Sequence, residues 1–248
     1  MRRVAFVVAF AMALAACGER YVPGPPVDEG GLEVFRLSID DDFDRLTVID
    51  AIVDALDLPD TIETSDNSRQ QTANLAGEGH GAAVYDRGDQ RVNVTYSSPL
   101  EDELTELRPL SDADDSDEAI ARSERILDAI GIDPDVVELR ATNRFDVSYT
   151  IVGELTLDGY RIPGFSSSFR WAADYQLIDF RAVIVDVERI GTVTPISEEE
   201  ARKRGEEALR GDRQLDTIEL AYITVGRDDE FIAAPVWKIV TDFGNTRN

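Results

Sequence analysis

Three stretches of this chain share one alternation: acidic residues, then apolar residues three and four apart, then apolar residues two apart. In the first, Asp40, Asp41 and Asp42 precede Leu46, Ile49, Ile52, Val53 and Leu56, a spacing that lays one apolar stripe along a helix ending near Pro59. Ala83-Val84-Tyr85 and Val92 to Tyr96 then flank Asp86-Arg87-Gly88-Asp89, a turn-rich tetrapeptide that predicts a hairpin. In the second, Asp112, Asp114, Asp115, Asp117 and Glu118 lead into Ile120, Ile126, Leu127 and Ile130, with Gly131 placed to cap the helix. Phe145, Val147, Tyr149 and Ile151 alternate with polar residues as a half-buried antiparallel strand does. Asp158-Gly159 marks a turn, Phe165 to Trp171 a further strand, and Leu177 to Val187 a long one.

The third stretch opens at Ser197-Glu198-Glu199-Glu200, a capping-box pattern in which Ser197 and Glu200 can each satisfy the other's backbone N–H. Its helix runs to about Arg210. Ile218, Leu220, Tyr222 and Thr224 then face Val236, Trp237 and Ile239 across an Arg227-Asp228-Asp229 turn. The expected fold class is α+β: two to three units, each a helix packed on its own antiparallel sheet with one face wet.

The N-terminus follows another logic. Arg2 and Arg3 precede Val4 to Leu14, eleven residues without a charge. A transmembrane helix needs about 20 apolar residues, whereas a basic start, a short apolar run and small residues at its end describe a secretory signal peptide. Leu14-Ala15-Ala16-Cys17 resembles the lipobox of bacterial lipoproteins. That resemblance implies cleavage after residue 16, a diacylglycerol thioether on Cys17 and a further acyl chain such as palmitate on its amine. Each buried CH₂ then contributes about 0.8 kcal/mol, and two or three chains anchor where one does not. Cys17 is the only cysteine in 248 residues, so an intramolecular disulfide and a thiol metal cluster are both excluded. Residues 18–31, GERYVPGPPVDEGG, read as a flexible tether of about 3.1 Å per residue.

A second resemblance rests on Ile196-Ser197 and Ala201 leading a helix, Leu220-Ala221-Tyr222, and Ala234-Pro235-Val236-Trp237-Lys238-Ile239-Val240. These are similar to PepSY-type domains, which place an "is-x-x-x-A" helix before strands ending in "P-x-W-x-V". Leu127 to Ile132 and Leu157 to Gly164 are similar to a preceding repeat of that kind, so the likeness covers Asp117 to Phe243. The first stretch matches it poorly. The family has no catalytic residues to carry over, and it implies a non-enzymatic role in restraining peptidases or modulating sensor kinases at the cell surface. The expected organisation is a signal peptide at 1–16, a lipidated Cys17 and linker at 17–31, an N-terminal unit at 32–110, a middle PepSY-like unit at 111–191 and a C-terminal one at 192–248.

Charge narrows the partners. The formal net charge is −25, and about −27 once the first sixteen residues are removed. Such a surface repels phosphate backbones and anionic headgroups, so no nucleic acid is expected and only the lipid holds the chain to a membrane. His80, in Gly77-Glu78-Gly79-His80-Gly81, is the one histidine, so any Ser/His/Asp triad would have to use it; a loop position is the simpler expectation. The Asp112 to Glu118 cluster is a candidate calcium loop, but counted from Asp112 the sixth and twelfth positions are Asp117 and Ser123 rather than Gly and Glu. Carboxylates also accumulate there because a helix N-terminus favours them. Trp237 and Tyr222 are expected in the core.

Taken together these readings predict a lipid-anchored protein on the extracytoplasmic face of a membrane. It is expected to lack catalytic residues, metal and cofactor, and to bind or modulate another envelope protein. The alternative is a small-molecule or calcium-binding envelope protein using the acidic loops.

Overall fold

The computed structural model describes residues 21–22, 31–38, 43–59, 62–67, 72–86, 92–111, 116–145, 147–157, 159–209, 214–227 and 230–242. The signal segment, the lipobox with Cys17, and Asp112, Asp114 and Asp115 of the acidic cluster lie outside them. In chain order the elements are β1 (Tyr21–Val22), β2 (Leu32–Ser38), α1 (Arg45–Ala55), β3 (Glu63–Asn67), β4 (Thr72–Gly77), β5 (His80–Asp86), β6 (Val92–Ser97), α2 (Asp117–Ala129), β7 (Val137–Phe145), β8 (Ser148–Leu157), β9 (Tyr160–Ala172), β10 (Leu177–Ile184), β11 (Asp186–Val193), α3 (Glu198–Ala208), β12 (Gln214–Arg227) and β13 (Glu230–Asp242). Short 3-10 turns at Pro99–Glu101, Leu104–Glu106 and Pro134–Val136 join them. No helix among the described residues is long and apolar enough to cross a membrane.

The chain divides into two compact units, one made of residues 1–36, 188–225 and 232–248, the other of 37–187 and 226–231. The second holds an eight-stranded sheet of order β3-β4-β5-β6-β10-β9-β8-β7 in which every pair is antiparallel. It consists of two four-stranded meanders, β3 to β6 and β7 to β10, each preceded by a helix and joined through their last strands. Helix α1 packs on β3, β4 and β5, α2 on β7 and β8, and the helices touch each other.

Local chemistry explains where the helices begin and end. Asp44 caps α1: its carboxylate accepts the Leu46 N–H at 3.0 Å and the Thr47 hydroxyl at 2.9 Å. Those two bonds hold its pKa below the ordinary aspartate value. Val48, Ile49 and Ile52 are buried, as the apolar stripe predicts. Helix α2 closes in a Schellman motif, Gly131 N–H to Asp128 O at 3.0 Å and Ile132 N–H to Leu127 O at 2.8 Å. Gly131 can take this position because its φ is +83°, a region that side chains rarely enter.

Four expectations need correcting. The fold is not two to three helix-plus-antiparallel-sheet units of PepSY type; thirteen strands and three α-helices are described, and the strands run together into two large antiparallel-rich sheets. A half-buried meander still has an unpaired edge, and pairing β6 with β10 satisfies two such edges at once. The strand expected over Phe145 to Ile151 is two strands meeting at a hairpin, with Phe145 opposite Ser148. The long strand expected over Leu177 to Val187 is divided at Val185, so that β10 and β11 belong to different sheets. At α3 only half of the capping box forms: the Glu200 N–H donates to Ser197 Oγ at 3.2 Å, while the Glu200 carboxylate pairs with Arg204 at 2.8 Å.

The first unit is organised on a five-stranded sheet of order β1-β13-β2-β11 with β12 beside β13. Tyr21 and Val22, inside the stretch expected as tether, pair with Lys238 and Trp237. Ile196 and Ala201 are buried here, with Ile218, Trp237 and Ile239 packed against them. The Trp237 indole donates to Ile196 O at 2.8 Å, and Tyr222 donates its hydroxyl to Glu33 O at 2.7 Å. Tyr222 is therefore a core residue and Trp237 a half-buried one packed against the core, both with their polar atoms satisfied. Helix α3 runs close to its strands at Gly205, where a Cβ would stand 3.0 Å from Leu215 Cδ1 and 3.1 Å from Ile239 Cδ1.

Candidate functional site: a cleft at the helix ends of the eight-stranded sheet

Strand alternation sends Tyr96, Phe180 and Phe169 to the helix-covered face of the sheet, in register across β6, β10 and β9. Their rings stack in sequence, Tyr96 with Phe180 at 5.8 Å and Phe180 with Phe169 at 5.4 Å between centroids. His80 extends this row onto β5, its ring 6.1 Å from that of Tyr96. Where the row meets the ends of the helices, an amphipathic cleft of about 640 Å³ opens. That volume lies within the ordinary range of small-ligand sites, about 300–1,000 Å³.

The walls come from both meanders and both helices. Leu56, Asp57 and Leu58 follow α1; His80, Tyr96 and Ser98 come from β5, β6 and the turn after it. Arg122, Arg125 and Ile126 project from α2, and Trp171, Tyr175 and Gln176 from the β9–β10 hairpin. Several of these side chains are locked. The Trp171 indole donates to Ser123 Oγ at 2.9 Å, and Ser123 donates in turn to Ala119 O at 2.8 Å, so a buried serine ties the sheet to α2. Arg122 donates to Glu118 at 2.7 Å and to Tyr175 O at 3.3 Å, with its guanidinium 5.5 Å from the Tyr175 ring centroid. Tyr175 also lies flat on Tyr149, 5.7 Å between centroids at 3°.

Backbone strain concentrates here. Three non-glycine residues with positive φ are found among the described residues, Asp57 at +50°, Glu78 at +50° and Tyr175 at +63°, and two of them line this cleft. For a bulky aromatic the left-handed region costs about 1–3 kcal/mol and persists only where the surroundings impose it. At Tyr175 they do: its N–H bonds Ala172 O at 2.9 Å, while Asp174 Oδ1 accepts the Gln176 N–H at 3.2 Å.

Two polar groups define the chemistry. Tyr96 Oη and His80 Nδ1 are 2.9 Å apart, and burial pushes the Tyr96 phenol up to about 12, so it stays protonated and able to donate. When it donates to Nδ1, the His80 proton sits on Nε2. Ser98 is 6 % exposed, and its Oγ has no hydrogen-bond partner among the described residues. It occupies the N-cap position of the Pro99–Glu101 turn, yet its hydroxyl makes no capping bond there. A buried hydroxyl left unsatisfied costs about 1–3 kcal/mol.

A larger concavity, about 820 Å³, lies on the sheet face formed by Asn74, Ala83, Asn93, Thr95, Ser97 and Arg181. Its side chains are mostly small, and its two carboxylates are already held by Arg170, which pairs with Asp179 and, at 3.0 Å, with Glu101. The amphipathic cleft is the better candidate because it combines aromatic walls, locked donors and an unsatisfied hydroxyl.

Cys17, the residue expected to carry the lipid, lies outside the described residues. His80, expected in a loop, opens β5 and reaches the cleft. Asp117 and Glu118 sit in the first turn of α2. Among the described residues no three His, Cys, Asp or Glu side chains gather as a metal site. Ser98, Arg122, Trp171 and Tyr175 escaped the sequence reading as site residues; the one local signal was the serine before Pro99, whose N-cap pattern predicts a used hydroxyl.

No family model matches the chain, and no curated protein matches it. Among solved structures it is similar to the Bacillus megaterium YpeB C-terminal domain, at 12 % identity and a TM-score of 0.37, over 84 % of this chain and 89 % of that one. At that score the likeness carries neither fold nor function across.

Proposed function

We propose that this protein is a lipid-anchored lipoprotein of the bacterial envelope that acts by binding rather than by catalysis, engaging another extracytoplasmic protein. The observation that carries it is the coincidence of two arginines, eleven charge-free residues and Leu14-Ala15-Ala16-Cys17, which contains the chain's only cysteine. Binding is favoured over catalysis by what surrounds the one histidine. His80 and Ser98 line the same cleft, but His80 is paired with the Tyr96 phenol and no hydrogen bond joins it to Ser98. A nucleophilic serine needs its base within hydrogen-bonding reach. The cleft itself favours a second reading, in which the ligand is a small molecule.

The anchor is tested by comparing wild type with Cys17→Ser in a bacterial host, by intact mass and membrane fractionation. A wild type that loses its first sixteen residues, gains a diacylglycerol-sized mass and sediments with membranes, beside a mutant that does none of these, supports the reading. Two soluble, unmodified proteins would reject it. Cross-linking on intact cells then tests the partner: a reproducible envelope protein is expected, and its absence counts against that half.

A further inference from the structure

We propose that the cleft of the eight-stranded sheet unit binds an amphipathic carboxylate, an apolar body bearing one carboxylate group. This proposal stands on the cleft alone and is independent of Cys17, so it can fail while the anchor holds, and the reverse.

The argument is an inventory of what the walls offer. The apolar side is supplied by Leu56, Leu58, Ile126, Trp171 and Tyr175, enough for an aromatic or branched aliphatic group. The polar side is made mainly of donors. Ser98 Oγ–H has no acceptor among the described residues but is closed to a molecule the size of water, so the imidazole and the guanidinium are the donors a ligand meets; His80 Nε2 carries a proton when Tyr96 donates to Nδ1. Arg122 spends its Nε on Glu118 and one terminal nitrogen on Tyr175 O, leaving its other terminal nitrogen to give. Arg125 stands one turn on, at the rim, bonded to Glu118 at 3.4 Å and to Ala121 O at 3.3 Å. Against these the lining sets one carboxylate, Asp57, and the Gln176 amide oxygen, whose nitrogen is held by Asp174 at 3.0 Å. A surplus of donors beside an apolar wall selects a compact anion on an apolar body, and a carboxylate accepts from a guanidinium and an imidazole N–H together. The chain's overall negative charge does not prevent this, because charges beyond about 8 Å are screened at physiological salt.

The preformed state of the walls agrees. Tyr175 is held at φ +63° by its stacking on Tyr149 and its bonds to Ala172 and Arg122, and Trp171 by Ser123. A strained aromatic facing a cavity is a feature that a fold retains at a stability cost when a ligand uses it.

The chemistry has two sources, the C-terminal residue of a polypeptide and a free organic acid, and the probes separate them. Calorimetry and tryptophan emission on the purified full chain would compare N-acetyl-phenylalanine, its C-terminal amide and 3-phenylpropionate. N-acetyl-phenylalanine is expected to bind about tenfold or more tightly than the amide, since a charge-assisted bond is lost with the carboxylate. Phenylpropionate binding equally well identifies a free acid; binding tenfold more weakly identifies a polypeptide end. Arg122→Gln should weaken the acid about tenfold and leave the amide unchanged. His80→Phe keeps an aromatic ring and removes the Nε2 donor, and should weaken the acid about tenfold while leaving the amide unchanged. Acid and amide binding alike, no binding of any probe, or unchanged acid affinity in both Arg122→Gln and His80→Phe would each overturn the proposal.

Discussion

The two sheets of this protein gather their buried apolar residues from different stretches of chain. The eight-stranded sheet gathers residues of α1, α2 and six strands, from Ala73 on β4 to Ile151 on β8, into one core cluster. Around α3 of the five-stranded sheet Ile218, Trp237 and Ile239 lean on Ile196 and Ala201, and Val34 and Phe35 of β2, Tyr222 and Ile223 of β12 and Ala233, Ala234 and Val236 of β13 are buried as well. The difference lies in how each is assembled. The large sheet is two continuous meanders, whose strands are neighbours in sequence and pair with short turns. The smaller one draws β1, β2, β11 and the β12–β13 hairpin from opposite ends of the chain, and relies on polar anchors such as Trp237 to Ile196 O and Tyr222 to Glu33 O. Strands that follow one another in sequence meet at little entropic cost, whereas chain-distant strands must close long loops before their side chains can pack.

That contrast can be broken by substitution. Phe180→Ala removes a fully buried ring between Tyr96 and Phe169 and should cost about 3–5 kcal/mol in chemical denaturation, the largest effect expected of any single change here. A loss under about 1 kcal/mol would mean the core is not the scaffold described. In the other sheet Trp237→Phe keeps an aromatic six-membered ring but deletes the pyrrole part and its bond to Ile196 O, for about 1–2 kcal/mol, with faster amide exchange expected in β13. Ser98→Ala should move the opposite way, stabilising the ligand-free chain by up to about 1 kcal/mol because it removes an unsatisfied hydroxyl. The smallest effect is predicted on the surface of α3, where Arg204→Gln breaks an exposed i,i+4 pair with Glu200 and should change stability by at most about 0.5 kcal/mol.

A pH scan sharpens the same contrast at the Tyr96 phenol. Its pKa is raised from 10.0 to about 12 by burial, so the folded state holds this proton more tightly than the unfolded chain does. The stabilisation is complete below pH 10 and is lost as pH rises from 10 through 12. Stability measured across that window should fall less steeply in Tyr96→Phe than in wild type. Equal slopes would mean that the phenol is solvated in the folded protein.

Much of the local structure was legible in the residue pattern. The buried face of α1, the Gly131 cap, the β5–β6 hairpin and the Ser197 cap follow from periodicity and from backbone groups that only near neighbours can satisfy. The Ile196, Ala201 and Trp237 pattern was also legible, and these three residues meet in space. The site was not. Ser98, Arg122, Trp171 and Tyr175 lie up to 77 positions apart and share no motif, and Tyr175 reads as an ordinary turn residue until its φ is known.

By itself, then, the sequence determined the acidic balance of charge, the helices and most strands, because each rests on composition or on interactions within a few residues. Tertiary structure alone decided that the two meanders fuse at β6 and β10, that a run of apolar alternation is divided at Val185 between two sheets, and that His80 meets Tyr96 beside Ser98. Those outcomes depend on which strand edges find partners, and a strand's own side-chain alternation is the same whichever neighbour it pairs with.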